Sequence, residues 1–302
     1  MKRALRPLSV IPVGGTGRAN NLDGMPQPAS ATVTTIRPPK GWAPLDLREF
    51  AGAHELLYFL VLRSLKLRYK QTVLGAAWAV LQPLLTMAVF TVVFGRLARL
   101  DSDGLPYPVF ALAALVPWTY FANALAQASN SLVEQHQLLT KVYFPRLLLP
   151  LAAVIAGLVD LAISFIVLLV VLAWYGITPT VQLVAVPAFA LLAAASALAP
   201  ALWLAALNVR YRDVRHVIPF LVQIWLFATP VVYSSTLVPE RWRPLYALNP
   251  MGSVVDGFRW MIAPAGHAPG RELALAFASV AILLTAGLYF FRRMERSFAD
   301  VI

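Results

Sequence analysis

The 302-residue sequence contains no cysteine. Disulfides, thiolate metal ligands and thiol nucleophiles are therefore excluded. Histidine occurs four times, at His54, His136, His216 and His267, and never at metal-ligand spacing. His54-Glu55 lacks the second histidine of a zinc-protease helix. None of the five lysines is followed by Ser or Thr. A phosphate-cradling P-loop needs that pair at the end of a glycine-rich turn, so the chain encodes no P-loop ATPase. Gly14-Gly15-Thr16-Gly17 is a glycine cluster with no flanking strand or helix to make it one.

Charge is scarce as well. Only 13% of residues are charged against 59% hydrophobic, and the mean hydropathy of +0.69 lies outside the soluble globular range. Asp, Glu, Lys and Arg are absent from Gln71–Gly95, Gly104–Val133, Leu161–Val209, His216–Pro239 and Leu273–Phe291. A helix needs about 20 apolar residues to cross the hydrocarbon core. Four windows hold one span each. The long one, extended back to Leu147, holds two, separated at Tyr175–Thr180. The predicted fold is an all-α integral membrane protein with six transmembrane helices, near residues 74–95, 108–131, 148–174, 182–207, 217–236 and 273–291.

The formal charge of +11 is organised by these spans. One side collects Arg63, Lys66, Arg68 and Lys70, then Lys141 and Arg146, then Arg210, Arg212 and Arg215, then Arg292, Arg293 and Arg296. The other has Arg96, Arg99, Arg241, Arg243, Arg259 and Arg271. The positive-inside rule puts the richer side, and both termini, in the cytoplasm. The excess charge reads as orientation and head-group attraction, with no nucleic-acid partner.

Residues 1–43 are rich in Pro, Gly, Thr and Asn and read as a disordered cytoplasmic extension, leaving 44–302 as the membrane domain. Lys2, Arg3 and Arg6 imitate a signal-peptide start, but Pro12 breaks the short apolar run behind them. Asp46-Leu47-Arg48-Glu49 has the pattern of a capping box. The stretch Asp46–Leu65 that it opens is amphipathic and too short in its apolar run to span, which predicts an interfacial helix. Val238–Gly270, with its prolines and aromatics, predicts short helices that dip into the outer leaflet or cap the outer mouth. Asp101-Ser102-Asp103 matches a metal-binding D-x-D pair but reads better as a polar turn.

Between spans two and three lies Glu134–Pro150, E-Q-H-Q-L-L-T-K-V-Y-F-P-R-L-L-L-P. On a helical wheel Glu134, Gln137 and Lys141 share one face, while Leu138, Leu139, Val142 and Tyr143 cover the other. Pro145 ends the pattern. Such an amphipathic elbow, braced by Lys141 and Arg146, suits a membrane protein gripped by a soluble partner.

Asp160 is the one ionisable residue well inside a predicted span. Two roles are open, a structural hydrogen bond to a neighbouring helix or a functional carboxylate, and no second buried charge marks a proton relay. Trp118, Tyr120, Phe121, Trp225, Phe227 and Tyr233 lie within or near the outer ends of spans two and five. They can line a glycan path by stacking on sugar rings, or pack against protein and lipid.

R-Y-K-Q-T-V-L-G-A-A-W-A-V-L-Q-P-L at Arg68–Leu84, L-V-P-W-T-Y-F at Leu115–Phe121 and L-L-T-K-V-Y-F-P-R-L-L-L-P at Leu138–Pro150 form an ordered series. It continues with L-N-V-R-Y-R-D-V at Leu207–Val214, T-P-V-V-Y at Thr229–Tyr233 and L-N-P-M at Leu248–Met251. In order and spacing the series resembles the transmembrane subunit of ABC-2 type polysaccharide exporters, which move O-antigen, capsular polysaccharide or teichoic acid.

The resemblance implies a permease of the bacterial cytoplasmic (inner) membrane, with no catalytic residue and no cofactor of its own. It implies a channel formed with a second copy and two cytoplasmic ATPase subunits that bind ATP and Mg. It makes the elbow a coupling helix, with Glu134, Gln137, Leu138, Lys141, Val142 and Tyr143 facing the ATPase, and Val238–Pro264 re-entrant gate helices. Lys70, Arg210, Arg212 and Arg215 would form an inner rim for the head group of a lipid-linked glycan, against the alternative that they only orient the chain. An ABC-2 permease for a small drug or lipid, and a membrane glycosyl- or acyltransferase, are the competing expectations. The second lacks a paired His/Asp constellation.

Overall fold

The computed structural model describes residues 53–70, 75–141, 144–178, 180–262, 270–295 and 298. All of them belong to the unit Asp46–Ile302. The expected extension over residues 1–43 and the capping box at Asp46–Glu49 lie outside the described residues. Among the described residues every regular element is helical and none is a strand.

Helix α1, His54–Lys70, continues past the expected end at Leu65. It buries Leu60 and packs Leu56, Leu57 and Val61 on the fold. Helix α2, Gly75–Phe90, passes into π-helical turns over Thr91–Leu97. Helix α3, Tyr107–Glu134, starts after Pro106 with Pro108 in its first turn, where a missing N–H does no harm. The elbow helix α4 is His136–Lys141. Helix α5 is Leu148–Trp174, and α6, Val186–Arg210, follows a 3-10 turn at Val181–Ala185. Then come α7 (Val214–Ala228), α8 (Arg243–Ala247), α9 (Pro250–Ile262) and α10 (Arg271–Glu295).

Among the described residues five helical stretches are long and apolar enough to cross a membrane: Val80–Leu97, Tyr107–Glu134, Leu148–Trp174, Val181–Arg210 and Arg271–Glu295. They match the first, second, third, fourth and sixth expected spans. The fifth expected span, 217–236, is not one continuous helix. Helix α7 has only 15 residues, about 22 Å at helical rise. It stops at Thr229, whose backbone is extended (φ −108°, ψ 142°). Pro230 follows, and a proline disfavours the helical region for the residue before it.

The irregular backbone beyond this break is satisfied from within. Arg259 on α9 donates to the carbonyls of Val231 (3.0 Å) and Tyr233 (3.2 Å), and Tyr107 donates to that of Val232 (2.8 Å). Irregular chain persists at membrane depth only where protein supplies such partners.

Helix α3 is the axis of the fold. Its apolar window is 78% buried, whereas that of the first span is 6% buried. Small side chains at Ala111, Ala113, Ala114, Ala124 and Ala128 let neighbouring helices approach it closely. The main core gathers side chains of α3, α5, α6 and α9. A second core surrounds the elbow, with Leu60, Leu132, Phe144, Leu147–Leu149, Ala205, Ala206, Phe291 and Phe298. Helices α6 and α10 meet so closely that a Cβ on Gly287 would lie 2.9 Å from the Ala199 carbonyl oxygen.

Candidate functional site

The elbow is built by a break in the helix. Helix α3 ends at Glu134, and Gln135 leaves the helical region (φ −108°, ψ 26°) with its N–H still on the Ser131 carbonyl. The expected continuous helix from Glu134 is thus two helices, with Glu134 the last residue of α3. Glu134, Gln137 and Lys141 are all exposed. Leu138 and Leu139 pack against the second core, beside Leu60, Leu132 and Phe144. Val142 and Tyr143 lie outside the described residues.

Arg146 fixes the exit of the elbow. Its Nη1 donates to the Glu295 carbonyl (2.9 Å), its backbone N–H donates to Glu295 Oε1 (3.3 Å), and its guanidinium lies 5.7 Å over the Phe298 ring. The elbow is therefore tied to the end of α10, with an apolar face inward and a polar face outward.

Lys70, Arg210, Arg212 and Arg215 are all exposed. Arg210 ends α6, Arg212 lies in the short connection to α7 and Arg215 in the first turn of α7, while Lys70 ends α1. The Arg210 guanidinium sits 5.6 Å over the Tyr211 ring, and Arg215 Nε donates to His216 Nε2 (3.2 Å). Asn208, in the same motif, is buried and donates to the Ser129 carbonyl (3.1 Å) and to Asn130 Oδ1 (2.9 Å). Sequence reasoning passed over it, although an amide inside an apolar run is a signal that a partner is needed.

Asp160 is half-buried and carries two partners from α1: Arg68 forms an ion pair with it and Tyr69 donates to it. The same guanidinium donates to Gln127 on α3. A second charge therefore does stand beside Asp160, contrary to the expectation. It is an arginine, which stays protonated, so the pair bridges three helices and does not relay protons. Burial lowers the Arg68 pKa from its usual value. Arg68, counted with the surface charges by the positive-inside reading, points into the fold.

The aromatic candidates separate. Trp118, Tyr120 and Phe121 are buried in the main core, with Tyr120 donating to the Val154 carbonyl (3.2 Å). Phe121 meets Trp225 edge to face at 5.0 Å. Trp225 and Tyr233 are half-buried and Phe227 is 60% exposed. Asn249 organises this end: its Oδ1 accepts from Trp225 Nε1 (3.0 Å) and from the Met251 N–H (3.2 Å) at the start of α9. Its Nδ2 donates to the Ala228 carbonyl (3.1 Å) and Thr229 Oγ1 (2.9 Å). One amide thus ties the end of α7 to the start of α9.

A polar cluster lies nearby. Arg259 is buried, 3.9 Å from Asp256 and 3.5 Å over the Phe110 ring. It too was counted as a surface charge and is an internal one. Burial raises the Asp256 carboxyl to about 6 and lowers Arg259 to about 10. Asp103, of the D-S-D sequence, accepts from Ser234 Oγ (2.7 Å) and ties its turn to the chain after α7. Among the described residues no group of three or more His, Asp or Glu could hold a metal ion.

Residues 55–263 match the model of the family described as ABC-2 type transporter. The chain is 35% identical over 259 residues to the O-antigen export system permease protein RfbA of Myxococcus xanthus, covering 85% of this chain and 98% of that one. It is 26% identical over 249 residues to the permease of the same name from Klebsiella pneumoniae, covering 82% and 95%. It is 22% identical over 246 residues to the polysialic acid transport protein KpsM of Escherichia coli, covering 79% and 93%. With its long apolar helices and a family match over most of its length, the chain is a multi-pass membrane protein that belongs to the ABC-2 type transporter family.

Proposed function

We propose that this chain is the channel-forming subunit of an ABC exporter that moves a lipid-linked polysaccharide across the bacterial inner membrane, driven by a separate ATPase. The elbow carries the proposal. A permease without a P-loop must receive force from a partner, and the elbow offers exposed Glu134 at the end of α3 beside exposed Gln137 and Lys141 on α4, whose other face is anchored in the second core. ATP and Mg belong to that partner, whose dimer closes on ATP binding. The bonds from Arg146 to Glu295 then give the motion a route into α5 and α10.

Two copies of the chain with two ATPase subunits complete the channel. Helix α7, with the irregular segment after Pro230, makes a sixth crossing, and α8 and α9 are re-entrant at the outer mouth. Both termini are cytoplasmic. Lys70, Arg210, Arg212 and Arg215 are exposed, and they suit a phosphate or pyrophosphate head group on the cytoplasmic side. Trp225, Phe227 and Tyr233 are the aromatics left open to a passing sugar chain, while Trp118, Tyr120 and Phe121 support them from the core.

Deleting the gene tests the substrate. The proposal requires loss of the surface glycan with lipid-linked glycan accumulating inside, both reversed by the intact gene. A permease for a small drug or lipid would leave the surface glycan unchanged and alter drug susceptibility instead. Scrambling Glu134–Tyr143 tests the elbow: the chain should still insert but no longer bind the ATPase or export. Glycosyl- or acyltransferase activity in the purified chain would sink the proposal.

A further inference from the structure

Helix α1 has two chemically different faces. On one, Leu60 is buried and Arg68 and Tyr69 hold Asp160, with Arg68 also on Gln127. On the other, Phe59, Leu62, Arg63, Lys66, Leu67 and Lys70 border a hollow of about 380 Å³. Helical residues are about 100° apart, so Lys66 and Lys70 each lie about 200° around the axis from Arg68. The inward bonds of Arg68 and Tyr69 set the rotation of α1 and keep the second face outward.

That outward face combines apolar and cationic groups. Phe59 is 64% exposed and Leu67 63% exposed. Arg63, Lys66 and Lys70 are exposed beside them, and among the described residues no carboxylate borders the hollow. Glu55 stands a turn before Phe59, at the far end of the stripe from Lys70. Like charges at three- and four-residue spacing repel, so the three cations favour an anion between them. A bare anion would leave Phe59 and Leu67 uncovered. An acidic protein surface would cover charge better than it covers these apolar side chains. A phosphate carrying acyl chains matches both, with the phosphate among the cations and the chains over Phe59, Leu62 and Leu67.

We infer that this face of α1 binds an anionic phospholipid of the surrounding bilayer, of the phosphatidylglycerol class, as a resident lipid distinct from the transported molecule. Helix α1 then lies between the bilayer and α5, fixed by the phospholipid on one side and by Asp160 on the other.

The test uses the full-length chain in nanodiscs of phosphatidylcholine with added phosphatidylglycerol, with retained lipids identified by native mass spectrometry. The wild-type chain should keep phosphatidylglycerol in preference to phosphatidylcholine, and excess inorganic phosphate should not displace it. The double variant Arg63→Gln/Lys66→Gln should lose affinity for it about 30-fold, two cations at about 1 kcal/mol each. Arg210→Gln/Arg212→Gln should keep the preference, which separates this site from the proposed inner rim. The proposal is overturned by a wild-type chain with no preference, which needs no variant to fold. It is equally overturned by displacement with phosphate, by a preference that survives Arg63→Gln/Lys66→Gln, or by one that Arg210→Gln/Arg212→Gln abolishes.

Discussion

Arg146, at the exit of the elbow, donates its guanidinium N–H to the backbone carbonyl of Glu295 at 2.9 Å, across 149 positions of sequence. Its own backbone N–H reaches the Glu295 carboxylate at 3.3 Å. The residue that follows the elbow is thus bonded to both the backbone and the side chain of Glu295 on α10. The elbow helix α4 and the end of α10 are thereby one mechanical unit.

Arg146→Ala should release that unit. Losing a charge-assisted bond to a backbone carbonyl costs about 1.5–3 kcal/mol. Thermal unfolding in detergent should shift down accordingly, and ATP-driven export should fall while membrane insertion persists. Arg146→Lys, which keeps the charge without the planar fork, should recover only part of the loss. Unchanged export in Arg146→Ala would separate the elbow from α10.

Arg68→Ala should destabilise the fold by about 3 kcal/mol, because it leaves the half-buried Asp160 carboxylate without its counter-charge. Asp160→Ala strands Arg68 in the same way. The double variant Arg68→Ala/Asp160→Ala should be more stable than the sum of the two singles predicts, as residues in direct contact couple. Additive losses in a double-mutant cycle would show that the pair contributes nothing as a pair.

Gly287→Ala places a methyl group 2.9 Å from the Ala199 carbonyl and 2.9 Å from Trp203 Nε1. The indole can move but the backbone oxygen cannot without parting α6 from α10. A loss of about 1–3 kcal/mol is expected from such overpacking, read as a lower unfolding temperature. Gly252→Ala, within α9, whose new Cβ would meet its nearest described neighbours at 3.7 Å, ordinary van der Waals contact, serves as the control.

Asp256 should make stability pH-dependent. Helix α9 is not one of the spanning helices, and burial there raises the Asp256 carboxyl to about 6, with Arg259 and Ser235 opposing and Glu272 and Asp103 reinforcing the rise. Tyr246 and Asp256 also face each other electrostatically. The folded state therefore holds this proton more tightly than the unfolded chain does, whose carboxyl keeps its usual value of 3.8. Stability falls as pH rises through the window from about 4 to about 6, and this contribution is flat on either side. Asp256→Asn should flatten that slope in unfolding temperatures measured against pH. An identical slope in the variant would assign it elsewhere.

The positions of α3, α5, α6 and α10 were legible because transfer of apolar side chains to lipid is additive along the chain. A charge-free window of sufficient length is enough to mark a span. The elbow was legible for the complementary reason, a short polar interruption between two such windows. The break inside the window 217–236 was not legible because one proline barely alters the hydropathy of the window, yet Pro230 ends the helix at Thr229 through backbone sterics. Glu134 was placed on the elbow helix for a similar reason, since periodicity runs smoothly through Gln135 while the backbone turns there.

Of the candidate site residues, the exposed set (Glu134, Gln137, Lys141, Lys70, Arg210, Arg212 and Arg215) lies at turns and helix ends, where charge pattern is informative. The aromatics were less legible. Phe121 and Phe227 are the same residue type in similar apolar sequence, yet one is wholly buried and the other 60% exposed, because α3 is surrounded by other helices whereas α7 buries Ile218 alone among its described residues.

The residues alone established a membrane-spanning helical chain with no P-loop and an amphipathic elbow. Each follows from local composition or spacing, which needs no knowledge of neighbours in space. Only the tertiary structure decided which polar groups meet. Arg68 finds Asp160 across 92 positions, Asn208 finds Ser129 across 79, and Arg259 finds the carbonyls freed beyond Pro230. A buried polar group must have a partner, but sequence states only that need. Which partner it takes is set by how the helices pack.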